Sequence, residues 1–196
     1  RSILRSTNGT TFLGAQNEFG YIKSFPNGQN RYRSLSSLIT NDQKNFSDVW
    51  KIFETEDGIW FLTGESAFLY NGDTIETIRS DHTWRSFSQV GNTILVQDSN
   101  LDIYAIVEKQ ISKIIDRESI NHAKVVSVLE ENSDRWVFVS ESKGLYSYNI
   151  KDKSFRQLYS DPLIEENKVF EVQKLRDGYL AIGTIGGGLI ILDKNY

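Results

Sequence analysis

The chain has 196 residues, of which 39% are hydrophobic and 12% aromatic, enough for a packed core and incompatible with a disordered polymer. Its net charge is −4 and its Lys and Arg are scattered along the sequence, so it shows no basic run of the kind that marks direct nucleic-acid contact. The absence of cysteine excludes disulfides, thiolate metal sites and cysteine nucleophiles, and no apolar run reaches the ~20 residues of a membrane helix.

Five turn signals, Asn8-Gly9, Asp57-Gly58, Gly91-Asn92, Ser133-Asp134 and Asp177-Gly178, each stand between two β-type runs. They recur at roughly 33 to 49 residues with several strands per interval, the period of propeller blades. The first unit (2–36) predicts strands at Ile3-Leu4, Thr10–Gly14, Phe19–Ile22 and Tyr32–Leu35, with a Pro26-Asn27-Gly28 turn before the last. The second (48–78) predicts Val49–Phe53, Ile59–Thr63, Ala67–Tyr70 and Thr74–Ile78; Asp57-Gly58 and Asn71-Gly72-Asp73 supply its hairpin turns. The third (83–114) predicts Trp84–Gln89, Thr93–Gln97, Leu101–Val107 and Gln110–Ile114. The fourth (123–158) predicts Val125–Glu130, Trp136–Ser140, Leu145–Asn149 and Phe155–Leu158. The fifth (167–196) predicts Val169–Lys174, Tyr179–Gly183 and Leu189–Leu192, and lacks an outer strand.

Each full unit is a four-stranded antiparallel meander, so the expected fold is all-β, one propeller-repeat domain over residues 1–196. Propellers protect their sheet edges by closing a ring of about 4–8 blades. Either a five-blade ring is completed by residues outside this sequence, or the chain is a fragment of a larger ring. The cut in mid-unit favours the fragment, and the start at Arg1 without a signal peptide reads as an internal or processed piece. Between Ile103 and Glu131 some apolar residues fall at helical spacing. Strands are expected at both ends of that stretch, with a helical turn only around Asp116–His122.

Few residues point to chemistry. His82 and His122 sit in links between units, without a second ligand at metal spacing. No G-x-S-x-G elbow occurs. The glycines of Gly183–Leu189 are expected to let the chain turn and approach a neighbour, since the Gly-Lys-Ser/Thr ending of a phosphate loop is missing. No catalytic residue, metal ligand or cofactor site is assigned. Trp60 and Trp136 share one slot in their units, filled by Phe12 and Leu180 elsewhere, and are expected to pack blade on blade. Trp50 and Trp84 on first strands are expected in the core.

The loops joining second and third strands are the candidates for recognition: Gln16, Asn17 and Glu18, then Glu65, Asn100 and Glu141. Such a set of amides and carboxylates suits a polar ligand such as a sugar, although loops are polar in any case.

Val49 to Tyr70, with Val49, Ile52, Glu54, Asp57-Gly58-Ile59-Trp60-Phe61, Thr63 and Tyr70, resembles the two-component regulator propeller repeat. Val125–Tyr148 and Val169–Leu192 match it more loosely, and Gly9–Ile22 resembles the version in sensor regulators of the Bacteroidetes type. The third unit departs from the pattern, with Asp98-Ser99-Asn100 where the family has a glycine-containing loop. The resemblance implies a periplasmic, non-catalytic sensor propeller of an inner-membrane regulator. That regulator would carry a histidine kinase or a helix-turn-helix output and would meet the membrane only through the rest of the parent chain. It implies a glycan or other small polar ligand, self-association as a further partner, and no nucleic-acid contact by this segment. A propeller enzyme acting on polysaccharide, as lyase or glycosidase, and a structural protein-interaction propeller are the alternatives.

Overall fold

Turn chemistry sets the strand order in the computed structural model, which describes residues 1–196. Gly9, Gly58, Gly91 and Gly178 all adopt positive φ at the first hairpins of their units, where a side chain would be strained. The residues divide into two compact units, 1–84 with 108–110, and 85–107 with 111–196.

The first unit holds two antiparallel meanders. Blade 1 is β1 (Ser2–Arg5), β2 (Thr11–Ala15), β3 (Glu18–Ser24) and β4 (Asn30–Ser34). Blade 2 is β5 (Lys51–Thr55), β6 (Gly58–Leu62), β7 (Ser66–Tyr70) and β8 (Ile75–Arg79). Aromatic rings join them: the Phe19 ring lies 4.5 Å from Phe61, 5.1 Å from Phe68 and 5.5 Å from Phe46. Each such pair contributes about 0.5–1.5 kcal/mol beyond the burial of its area. Phe12, Val49, Ile52 and Ile59 complete this core.

In the second unit, blade 3 runs β9 (Trp84–Val90), β10 (Thr93–Asp98), β11 (Ile103–Val107) and β12 (Gln110–Ile115), with its β9 start and β11–β12 hairpin tip counted in the first unit. Blade 4 is β13 (Val125–Asn132), β14 (Arg135–Ser140), β15 (Leu145–Asn149) and β16 (Phe155–Tyr159). Blade 5 has three strands, β17 (Val169–Lys174), β18 (Leu180–Thr184) and β19 (Leu189–Leu192). Val137, Val139 and Leu145 of blade 4 pack on Val172, Leu180 and Ile182 of blade 5.

The expected strands all form. Between Asp116 and His122 the chain makes successive turns rather than a helical segment, with Asn121 and His122 both at positive φ. A real helix lies elsewhere: α1 (Pro162–Asn167), capped by the Asp161 carboxylate on the Leu163 N–H at 2.8 Å. Gly187 behaves as anticipated, since a Cβ there would meet the Asn167 Cγ at 2.6 Å.

One side-chain expectation is corrected. Trp84 is buried, as is Trp60, but Trp50 is 52% exposed. The cause is a β-bulge. Trp50 donates its N–H to the Leu62 carbonyl while Lys51 is the register partner of that same Leu62, two residues against one. The extra residue turns outward, and the buried positions Val49 and Ile52 stand three apart instead of two. The same V-x-x-V spacing and a register shift recur at Val125/Val128 and Val169/Val172, which leaves Phe170 72% exposed.

Candidate functional site

A single side-chain slot organises the loops between second and third strands in blades 2 to 5. The Thr63 hydroxyl accepts the Ser66 N–H at 2.9 Å and donates to the Ser66 carbonyl at 3.0 Å. Ser140 does the same with the Lys143 N–H (2.7 Å) and the Gly144 carbonyl (2.8 Å), and Thr184 with the Gly187 N–H (2.9 Å) and the Gly188 carbonyl (3.0 Å). In blade 3 the slot holds Asp98, fully buried, whose Oδ1 accepts the N–H groups of Asn100 and Asp102, each at 2.9 Å. These bonds satisfy the loop backbone locally, so the next residues are free to face solvent.

The residues anticipated from sequence fall in two groups; all lie in these loops except Glu18, which opens β3 and pairs with Ala15 across the hairpin. In the first unit, Ser47 sits between two of them: its carbonyl accepts the Asn17 N–H, and its hydroxyl lies near Gly64. Gln16 makes an isolated bridge to Asp48, and Asn17 holds positive φ. Glu18 is committed internally, accepting the hydroxyls of Tyr32 at 2.9 Å, Ser34 at 2.8 Å and Ser36 at 3.0 Å. Burial, and then this carboxylate, push the Tyr32 phenol pKa well above its usual value.

In the second unit, Asn100 is exposed at its loop tip, its N–H held by Asp98. Glu141 pairs with Lys124 at 2.5 Å, and its backbone joins Lys124 on one side and Val169 on the other. Glu141 therefore clamps the links that precede and follow its blade.

Glu65 stands apart. Its backbone carbonyl accepts the Ser80 N–H at 3.0 Å, while its exposed side chain borders a polar cavity of about 230 Å³. Asp42, Asn45, Phe46, Ser66 and Arg79 line the same cavity. Phe46 and Ser66 are its buried lining residues, and the Ser66 main chain is bonded to Thr63. Arg79 is held by the Asp42 carbonyl at 3.0 Å and carboxylate at 3.4 Å. The Asp42 carboxyl pKa lies below its usual value, chiefly through the Thr40 hydroxyl bonded to it. A short 3₁₀ turn at Asn41–Gln43, with Thr40 and Gln43 as a capping box, fixes that wall. The cavity thus offers an anionic acceptor, a cationic donor, an amide, a hydroxyl and one aromatic surface within the volume of a single small ring. Of its lining residues the sequence pointed only to the loop of Glu65 and Ser66; Asp42, Asn45 and Phe46 lie in a link, where spacing gives no sign of convergence.

No helix is long and apolar enough to cross a membrane. No protein-family model matches the chain, and no curated protein matches it. Solved structures do match. The extracellular domain assigned to a hybrid two-component system, BT4673 of B. thetaiotaomicron, aligns over 98% of this chain and 29% of its own, at 17% identity and a TM-score of 0.71. A second structure of that domain, described there as a one-component system, aligns over the same shares at 14% identity and a TM-score of 0.67. The WD40 propeller domain of Doa1 aligns over 98% of this chain and 68% of its own, at 10% identity and a TM-score of 0.66. The chain therefore has the fold of a β-propeller, built from four four-stranded blades and one of three strands.

Proposed function

We propose that this chain is a ligand-sensing propeller module without catalysis of its own, the extracytoplasmic part of a transmembrane signalling or transcription regulator. Its signal is a small, hydroxyl-rich polar molecule such as a sugar, bound in the cavity beside Glu65. The observation that carries this reading is one polar cavity of about 230 Å³ lined jointly by Glu65, Ser66, Asp42, Arg79 and Phe46. The similarity to an extracellular sensor domain supports the context. Self-association, the other partner expected from the family resemblance, is part of the same proposal.

Calorimetric titration with a panel of neutral mono- and disaccharides tests it. The expected result is one class of ligand whose affinity falls at least about tenfold in Glu65→Gln and in Ser66→Ala, the loss of about one hydrogen bond to a charged or buried group. Indifference of every ligand to both substitutions overturns the site. Turnover of any sugar by the purified chain overturns the non-catalytic assignment.

A further inference from the structure

Three Asn-Gly pairs stand at hairpin turns of the chain: Asn8-Gly9, Asn27-Gly28 and Asn71-Gly72. In each, the Asn side-chain oxygen accepts the N–H two residues on, from Thr10 at 2.9 Å, Gln29 at 3.1 Å and Asp73 at 3.1 Å. The pairs differ at the glycine nitrogen. Gly9 donates its N–H to the Ser6 carbonyl and Gly28 donates to the Phe25 carbonyl, each at 2.9 Å. The Gly72 N–H makes no hydrogen bond. Asn71 differs at its amide as well. Its Oδ1 takes a second N–H, from Thr74 at 3.0 Å, and its Nδ2 donates to the Thr74 hydroxyl at 3.0 Å. Asn71 to Thr74 are all exposed, and the Tyr70 phenol donates to the Gly72 carbonyl, which holds the glycine beside the amide.

We propose that Asn71 is a self-modifying site, which converts through a cyclic imide to aspartate and isoaspartate in the folded protein while Asn8 and Asn27 stay intact. The Gly72 nitrogen passes its proton to water or hydroxide and attacks the Asn71 Cγ. An N–Cγ bond forms, the Cγ–Nδ2 bond breaks, and Nδ2 takes a proton from solvent and leaves as ammonia. Water then opens the five-membered imide at either carbonyl. One opening restores the main chain with an Asp side chain; the other routes the main chain through the β-carboxyl. The net change is one water in and one ammonia out. Attack requires a nitrogen released from any acceptor, and among the three glycines only Gly72 has one. Adjacency supplies the high effective concentration of an intramolecular reaction. The two N–H groups on Asn71 Oδ1 stabilise the negative charge that gathers there during attack. Each product adds one negative charge to a chain that carries −4, at a tip that already holds Asp73. Isoaspartate also lengthens the main chain by one carbon between Tyr70 and Ile75, the last register pair of β7 and β8. The hairpin lies at the opposite end of β7 from the Glu65 loop, so the proposal does not depend on the ligand reading.

The test is incubation of the intact chain at mildly alkaline pH, with peptide mapping by mass spectrometry at successive times. Asn71 is expected to convert at least about fivefold faster than Asn8 or Asn27, the equivalent of one hydrogen bond at the attacking nitrogen. In the chain unfolded in urea the three rates are expected to converge, because the pairs share the same local sequence. Gly72→Ala places a side chain beside the attacking nitrogen and is expected to abolish most of the conversion. Asn71→Asp is expected to co-elute on ion exchange with the aspartate form of the aged protein. Conversion of Asn8 or Asn27 as fast as Asn71 in the folded chain, the same ranking in the unfolded chain, or undiminished conversion in Gly72→Ala overturns the proposal.

Discussion

The indole N–H of Trp60 donates to the Thr55 hydroxyl at 2.9 Å, a buried bond that ties the second strand of blade 2 back to the end of the first. Thr55→Val keeps the side-chain shape and leaves the indole nitrogen unpaired. It should lower unfolding stability by about 1–3 kcal/mol, whereas Thr55→Ser should lose less than half of that. Denaturant midpoints of the three proteins measure the difference.

Tryptophan substitutions should divide sharply. Trp60→Ala removes a buried ring and is expected to cost about 3–5 kcal/mol. Trp50→Ala at the bulge should stay within about 0.5 kcal/mol of the parent. Acrylamide quenching provides the check, since the Trp50→Ala variant should lose much of the readily quenched emission.

Stability should fall in alkali. The phenols of Tyr32, Tyr70, Tyr146, Tyr148 and Tyr196 all have pKa values raised first by burial. A raised folded-state value means that the unfolded chain loses these protons first. Their contribution is complete below the unfolded tyrosine value of about 10 and is lost as pH rises through the folded values. Melting curves from pH 8 to 12 should show this decline, and Tyr32→Phe, which cannot ionise, should shallow it. A melting temperature flat to pH 12 would refute the account.

Two glycines at nearly the same φ should respond differently. Gly28 (φ 79°) has open space around it, so Gly28→Ala should cost about 1–2 kcal/mol from backbone strain alone. At Gly144 (φ 79°) a Cβ would overlap the Tyr159 carbonyl oxygen. Gly144→Ala must also disturb the β15–β16 pairing and should be at least twice as costly by thermal unfolding.

The propeller architecture was legible because its signals are local. Asn-Gly and Asp-Gly turns, and β-branched runs between them, locate each strand to within a residue or two. The signal for α1 was also present and local, an Asp161-Pro162 pair followed by Glu165, but its six residues are too few for helical periodicity to register. The outward turn of Trp50 was written in the three-residue Val49/Ile52 spacing, which reads as ordinary strand until a bulge is allowed. The candidate sites were less legible for a different reason. The three Asn-Gly pairs are alike in sequence, and only the folded hydrogen bonds separate Asn71 from Asn8 and Asn27. Likewise Phe46 and Glu65 meet across a cavity that no spacing encodes.

The bulge at the start of the first strands separates two kinds of selection. Val49, Val125 and Val169, and their buried partners three residues on, are held to small or medium aliphatic residues by packing. In blades 2 and 5 the next residue is released from that constraint, and here it is Trp50 and Phe170; in blade 4 Val126 still packs on the core. Blades 2 and 5 therefore each carry one position where surface chemistry can diverge between descendants of a common repeat without eroding the fold that presents it.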